Sequence, residues 1–381
     1  MNLMERAKLA IADTYSRLPL VFVRGDGCRL WDSRDRVYID FVAGIAVCNL
    51  GHCNAVVNEA LEKQMKRLIH VSNLYYTEPQ VELAEMLISH SFADKVFFCN
   101  SGAEANEAAI KLARKYSKPR YKIIVMEDSF HGRTIATLSA TGQKRFQQGF
   151  EPMLPGFEFV PFDDIEAIKK NIDIETCAIM LEPIQGEGGV NFPSNGYLRE
   201  IRELCHKKNL LLIFDEVQVG MGRTGKLFAY ENYGVEPDIM TLAKALANGL
   251  PMGAMLARDD VAKSFTPGSH ASTFGGNPLC AAVALSCIRT MVNGGILTNC
   301  ERMGNYLIHQ LMELKQKYSF IREIRGKGLM VGMELDFPGQ GIVDRCMEEG
   351  LLINCTKERV LRFLPPLIVT EKEINFLIET L

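Results

Sequence analysis
Between residues 95 and 257 the chain repeats one pattern, a short apolar run followed by a stretch with helical periodicity. The runs at 95–99, 121–127, 177–181, 210–214, 238–242 and 253–257 are rich in Val, Ile, Leu, Phe and Met and show little polar alternation. Such runs read as strands buried on both faces. Helical stretches follow at 103–116 and at 196–208. This order predicts an α/β fold, a mainly parallel sheet covered by helices on both sides.

From residue 277 the pattern changes. Two long helical stretches, 278–292 and 296–318, lead into short strands near 321–325 and 329–335. A helix, a strand pair and a terminal helix then complete a small α+β unit. Residues 20–40 read as β-hairpin material with Arg24-Gly25-Asp26-Gly27 as the turn, too small to stand alone and expected to pack beside the C-terminal unit. Residues 1–12 alternate charged and apolar positions as a short amphipathic helix does. The expected division is an N-terminal segment, 1–50, packing with the small domain, a large domain, 51–280, and the small α+β domain, 281–381. No Pro/Ser-rich linker separates them, so the parts should pack closely.

Composition narrows the function. A net charge of −3 gives no basic excess to draw the chain onto nucleic acid or anionic lipid. The 11 cysteines, odd in number and without a C-x-x-C pair, fit reduced thiols of a cytoplasmic protein. Cys48, His52 and Cys53 lack a second ligand pair at zinc spacing and read as packing and loop chemistry, so no metal is expected. No uncharged apolar stretch is long enough to span a membrane, and the first residues lack a signal-peptide core.

In a parallel α/β sheet ligands sit beyond the carboxyl ends of the strands, where this sequence places its unusual polar residues. After 95–99 comes Asn100-Ser101-Gly102-Ala103-Glu104, whose S-x-x-E box caps a helix and whose free N–H groups favour an anion. Asp215 ends an apolar strand, which is costly unless a cation meets it. Lys244 follows another apolar strand, in surroundings that lower an ammonium pKa and favour Schiff-base chemistry. Phe130 and Arg133 offer an aromatic plate and a guanidinium three residues apart. The glycines of Gly220-Met221-Gly222-Arg223-Thr224-Gly225 spell G-x-G-x-x-G, but an acidic turn separates them from the strand and no convincing helix opens from them, so a dinucleotide reading is set aside. Taken singly, each feature also fits a helix cap, a salt bridge or a surface lysine.

Seven segments in order carry more: NSGAEANEAA at 100–109, FHGRT at 130–134, EPIQGEGGV at 182–190, FDEVQVGMGRTG at 214–225, TLAKAL at 241–246, STFGGNPL at 272–279 and LRFLPPL at 361–367. With them the chain resembles, from Val21 to its C-terminus, the class III or ω-amino-acid aminotransferases of fold type I. FVRGDG at 22–27, FVAGIAV at 41–47, SNLYYTEPQ at 72–80 and LLINCT at 351–356 are similar to the acetylornithine branch of that class. The resemblance implies a large domain with a small α+β domain built from both chain ends, and pyridoxal 5'-phosphate as cofactor. It implies transfer of the δ-amino group of N2-acetyl-L-ornithine to 2-oxoglutarate, a step of arginine biosynthesis, in a homodimer with shared active sites. Lys244 is then the Schiff-base lysine, Asp215 the partner of the pyridinium nitrogen, and Gln218 the neighbour of the phenolic oxygen. Phe130 would stack on the ring, while Ser101, Gly102 and Ala103 cradle the phosphate and Thr273 reaches the phosphate of the partner subunit. Arg133 and Arg362 are the implied carboxylate clamps, with Glu187 the acid that pairs with Arg362 when the donor is bound. Ser272 and Tyr15 are implied substrate contacts, and Ile45 an apolar wall near the donor. Two guanidinium groups suit a dicarboxylate, and an acid must neutralise one when a mono-carboxylate binds instead.

The sequence departs from the family pattern at Asn54, where a histidine is usual, at Val219, where a small hydroxyl residue is usual, and at Ala247 and Asn248, in place of a glycine run. Succinylornithine, succinyl-diaminopimelate and free ornithine remain alternative substrates. A decarboxylase or aminomutase could use the same fold, because fold does not fix reaction.

Overall fold
The structure, a computed structural model, describes residues 1–381. The N-terminal part forms strands β1 (Phe22–Asp26), β2 (Arg29–Asp32) and β3 (Val37–Asp40). The central part forms β4 (Lys95–Cys99), β5 (Lys122–Met126), β6 (Phe157–Val160), β7 (Thr176–Leu181), β8 (Leu211–Asp215), β9 (Ile239–Leu242) and β10 (Gly253–Ala257). The C-terminal part forms β11 (Ile321–Lys327), β12 (Met330–Leu335), β13 (Leu351–Leu352), β14 (Asn354–Thr356) and β15 (Val360–Phe363).

The seven central strands make one sheet in the order β4-β10-β9-β8-β7-β5-β6. Every residue of β7, β8, β9 and β10 is buried, as expected of a sheet covered on both faces. Only β10 runs against its neighbours. The connection from Leu242 to Gly253 holds a single 3₁₀ turn, Lys244–Ala247, and is too short for the crossover a parallel return needs. This reversal makes the sheet mixed with mostly parallel strands, and it sets both ends of the Lys244 loop side by side at the carboxyl end of β9. The edge strand β6 has no counterpart in the sequence reading, because four residues of half-buried Phe-Glu-Phe-Val are too few for a periodic signal.

The hairpin differs from expectation in its turn. Asp26 pairs with Arg29, so Gly27 and Cys28 form the turn, with Gly27 at φ +55°, while Arg24 and Gly25 lie within β1. β13 pairs with β3 in parallel, joining the two chain ends in one four-stranded sheet. β11, β12, β15 and β14 form a separate antiparallel sheet. Cys28 and Phe41 share a hydrophobic core with residues from Cys300 to Leu377. The helix Pro278–Asn293 belongs to the large core instead, through Cys280, Ala284, Ile288 and Met291. We therefore place the division between the units at Gly294 and Gly295, within the helical break, rather than at residue 280. The helix Leu3–Ala10 buries none of its residues. No single helix is long and apolar enough to cross a membrane.

The 220–225 glycine loop opens no helix and is the joint between the units. Arg223 within it is fully buried, and its Nη1 donates to the carbonyls of Leu329 (3.0 Å) and Pro365 (2.7 Å). Its Nη2 donates to Asn49 Oδ1. No carboxylate pairs with this cation, and burial lowers its pKa to about 10. A Cβ at Gly222 would lie 2.8 Å from Leu367, so the loop presses directly on the small unit. Arg223→Ala is expected to lower the unfolding free energy by about 3 kcal/mol, because it strands buried acceptors on three segments. Urea denaturation of both proteins measures the difference. A loss below about 1 kcal/mol would show that water satisfies those carbonyls.

Candidate active site
A cavity of about 440 Å³ opens beyond the carboxyl ends of β4, β5, β7, β8 and β9. Ser101, Gly102, Ala103, Asn106, Phe130, His131, Arg133, Glu182, Asp215, Gln218 and Lys244 line it. Its size and mixed lining suit a small organic ligand.

One wall is a helix start. Ser101 caps the helix Gly102–Tyr116, its Oγ accepting from the Glu104 N–H at 3.2 Å. Glu104 closes the box one residue early, on the N–H and side-chain amide of Asn100 rather than on Ser101. The N–H groups of Gly102 and Ala103 have no carbonyl inside the helix, which is the usual seat for a phosphate. A Cβ at Gly102 would meet Val217 at 2.7 Å, so glycine lets the helix start lie against the loop after β8.

Asp215 ends β8, buried beside Thr241 of β9. Its Oδ2 accepts from His131 Nδ1 and from Asn106 Nδ2, each at 2.7 Å, and its Oδ1 accepts from the Val217 N–H at 3.0 Å. Glu182 follows β7 and accepts from the N–H groups of Phe130 and Gly186, yet burial and the nearby Asp215 push it up to about 7. Lys244 follows β9 at φ +46°, a strained conformation for a residue other than glycine or asparagine. Burial lowers its pKa, and the Arg362 cation adds to the effect against the pull of Glu187 and Asp215.

Across the site, Arg362 of β15 is fully buried and pairs with Glu187 at 2.8 Å. The same Nη1 donates to Gln218 Oε1 at 3.0 Å, and Nε donates to Asn354 at 3.3 Å, while Nη2 has no protein partner. Burial alone would raise the Glu187 carboxyl, but Arg362 and then Lys244 hold it below the usual carboxylate range. Gly186 leaves room for Gln218, whose Oε1 would lie 2.2 Å from a Cβ there. Arg133 stands exposed at the cavity, stacked 3.7 Å above the Phe146 ring centroid, with no carboxylate partner.

Not every expected residue converges. Tyr15 is 71% exposed beneath Arg17 and does not line the cavity. Ile45 is 38% exposed and does not line the cavity, and Val47 takes the wall position expected of it. Ser272 lies behind the helix start, accepting from Asn100 Nδ2 at 3.2 Å, and Thr273 faces solvent. Three lining residues escape sequence reasoning: Asn106, His131 and Glu182. The available signals are an amide on an alanine-lined helix face and an acid directly after a wholly apolar strand.

Two of the four departures from the family pattern, Asn54 and Asn248, have local explanations. Asn54 caps the helix Ala55–Met65, accepting from Val56 N at 3.0 Å. Asn248 supplies the left-handed conformation a glycine would, at φ +44°, and its side chain bonds Leu50 N (2.8 Å) and Gly51 O (3.0 Å). Val219 is simply buried among apolar side chains.

A family model, aminotransferase class-III, matches residues 10–381. The chain belongs to the class-III aminotransferases. An acetylornithine aminotransferase of Caldanaerobacter subterraneus subsp. tengcongensis is 54% identical over 374 residues, covering 97% of this chain and 95% of that protein. An N-acetylornithine aminotransferase structure from Stenotrophomonas maltophilia superposes with a TM-score of 0.86 at 39% identity, over 99% of this chain and 97% of that one. An ornithine aminotransferase structure from Toxoplasma gondii reaches a TM-score of 0.95 at 36% identity, over 99% and 92%. Backbone likeness therefore does not separate acetylated from free donors. The family implies pyridoxal phosphate, and the cavity fits it: an anion seat, a buried acid and a lysine of lowered pKa face one space.

The wall at Val47 follows a turn in which Ala43, Gly44, Ile45 and Ala46 all have positive φ. Asp40 holds it, Oδ1 accepting from the Val42 and Ala43 N–H groups and Oδ2 pairing with His52 at 2.7 Å. That pairing, with Cys48 alongside, raises His52 from its ordinary 6.5 to about 10. The folded pKa exceeds the unfolded one, so the stabilisation is complete below about pH 6.5 and fades as pH rises through 10. His52→Gln should cost about 1.5–3 kcal/mol at pH 6.5, and the gap should close above pH 10. Denaturant titrations across that range compare the two proteins, and a gap independent of pH would refute the charged pair.

Proposed function
We propose that this chain binds pyridoxal 5'-phosphate in the cavity and transfers the δ-amino group of N2-acetyl-L-ornithine to 2-oxoglutarate. The products are N-acetyl-L-glutamate 5-semialdehyde and L-glutamate, a step in arginine synthesis. The observation that carries the reading is the convergence of Lys244, Asp215 and the Gly102 helix start on one space, with the Arg362–Glu187 pair across from them.

When bound, pyridoxal phosphate supplies the electron sink for transamination. Gly102 and Ala103 N–H groups, with Ser101, would hold its phosphate. Asp215, with one acceptor direction left on Oδ1, would meet the ring nitrogen, and Phe130 and Gln218 would contact the ring and its phenolic oxygen. Lys244, with its lowered pKa, would be the amine that holds the cofactor and the group available to move a proton. Glu187 neutralises Arg362 while a mono-carboxylate donor is bound, and a dicarboxylate takes its place in the second half-reaction. Arg133, free of any carboxylate, is the clamp for the donor's α-carboxylate; Ser272 and Tyr15 could contribute only from outside this cavity.

A homodimer is the assembly we infer. Thr273 lies exposed beside Phe274, 60% exposed, and next to the loop of Leu74 (84%), Tyr75 (63%) and Tyr76 (96%). Asn73 ties the two loops together through the carbonyls of Ser272 and Gly275. Exposed apolar surface this extensive calls for a partner, and it would bring Thr273 to the cofactor phosphate of the other subunit.

Donor choice follows from the acids. Glu187 is committed to Arg362, and both Glu182 oxygens accept backbone N–H groups. The α-ammonium of free ornithine would find no spare carboxylate, whereas an acetamide needs none. N2-acetylornithine is expected to exceed ornithine by at least about tenfold in kcat/KM with saturating 2-oxoglutarate. Succinylornithine serves as a third donor, and parity of free ornithine would move the assignment to ornithine.

Arg362→Ala should slow the 2-oxoglutarate half-reaction by about 2–5 kcal/mol of barrier while sparing most of the donor half-reaction. Single-turnover measurements separate the two, and equal losses would discard the Glu187 switch.

A further inference from the structure
We propose that Asn106 is a positioning residue for Asp215: its amide fixes the rotation of that carboxylate and so sets how tightly the cofactor's ring is held. The inference rests on the pyridoxal-phosphate reading of the cavity.

Asn106 lies one helical turn after Gly102, 1% exposed, on a buried face otherwise made of Ala105, Ala108, Ala109, Ile110, Leu112 and Ala113. An amide on such a face is costly unless it is satisfied. Its Nδ2 donates to the His131 carbonyl and to Asp215 Oδ2, both at 2.7 Å, and its Oδ1 accepts from the Thr241 hydroxyl at 2.7 Å. The carbonyl and the carboxylate can only accept, so both N–H bonds must point to them. Turning the amide over would set its oxygen against two other oxygens. One orientation is therefore selected.

The consequence falls on Asp215. Oδ2 receives two donors, Asn106 and the His131 ring, whereas Oδ1 receives only the Val217 N–H. The doubly held oxygen acts as an anchor, and the singly held one keeps an acceptor direction. Without Asn106 the carboxylate hangs from the His131 ring alone on that side, and the His131 backbone loses its own tether. Thr241 stands opposite Asp215 in the sheet register, so the amide is braced from the strand that leads to Lys244.

The test measures non-covalent binding of pyridoxal 5'-phosphate, by fluorescence quenching, in a Lys244→Ala background. There the covalent link cannot mask the other contacts. Asn106→Ala should raise the dissociation constant by about tenfold or more, and Thr241→Val by a smaller factor. Asn106→Asp should bind weakly at pH 8 and recover as the pH falls, because a protonated carboxyl can again donate to Asp215. A merely structural role would not produce that pH profile. If the Lys244→Ala parent takes up no pyridoxal phosphate, the cofactor reading itself fails. If the parent binds and Asn106→Ala binds equally well, only the role of Asn106 is overturned. Should Asn106→Ala not fold, an unchanged constant in Thr241→Val, or a flat pH profile in Asn106→Asp, overturns it.

Discussion

The structure is organised around a carboxylate that an apolar sheet would otherwise reject. β8 is buried from Leu211 onward, and Asp215 stands at its end with water excluded from most of its surroundings. Its three donors come from three separate places: the helix after β4, the loop after β5 and the turn after β8 itself. The central sheet has to assemble before the contacts to Asn106 and His131 exist. That dependence links fold to chemistry, because the elements that satisfy the acid also bound the cavity.

The same logic explains what can be read from the sequence. Strands in the middle of a covered sheet leave continuous apolar runs, and β5 and β7 to β10, with the less buried β4, are legible within a residue or two. The direction of β10 is not, because direction depends on the length of the Lys244 connection rather than on composition. The hairpin turn slips by two residues, since Gly25 and Gly27 both suit a turn. Only tertiary packing explains why glycine is needed at position 25 within the strand: a Cβ there would lie 2.7 Å from the His52 side chain.

The site divides in the same way. Lys244, Asp215 and the Gly102 turn sit at strand ends and announce themselves locally. Asn106, His131 and Glu182 act through bonds to residues far away in sequence, so the local marks of Asn106 and Glu182 do not reveal their partners and His131 has none. Arg362 and Glu187 are recognisable only through the family motifs, because their pairing joins β15 to the loop after β7. Tyr15, implied by the resemblance alone, stands exposed and outside the cavity.

Strain concentrates where the units meet. Ala43 to Ala46, Lys244 and Asn248 all take positive φ, at a cost of order 1–3 kcal/mol each for residues other than glycine and asparagine. Such costs persist only if the surroundings over-determine the backbone. Asp40 clamps the first turn through two N–H groups, and Asn248 bonds both Leu50 and Gly51. The segment from 40 to 52 is thus tied at one end to the small-unit sheet and at the other to the Lys244 loop. Arg223 adds a third tie, through Asn49, to the carbonyls of Leu329 and Pro365. A shift of the small unit, and of Arg362 with it, would therefore be felt at the lysine loop through short hydrogen-bonded links. The strained backbone at Lys244 is held by both units together, which fixes the place of its buried amine relative to Arg362.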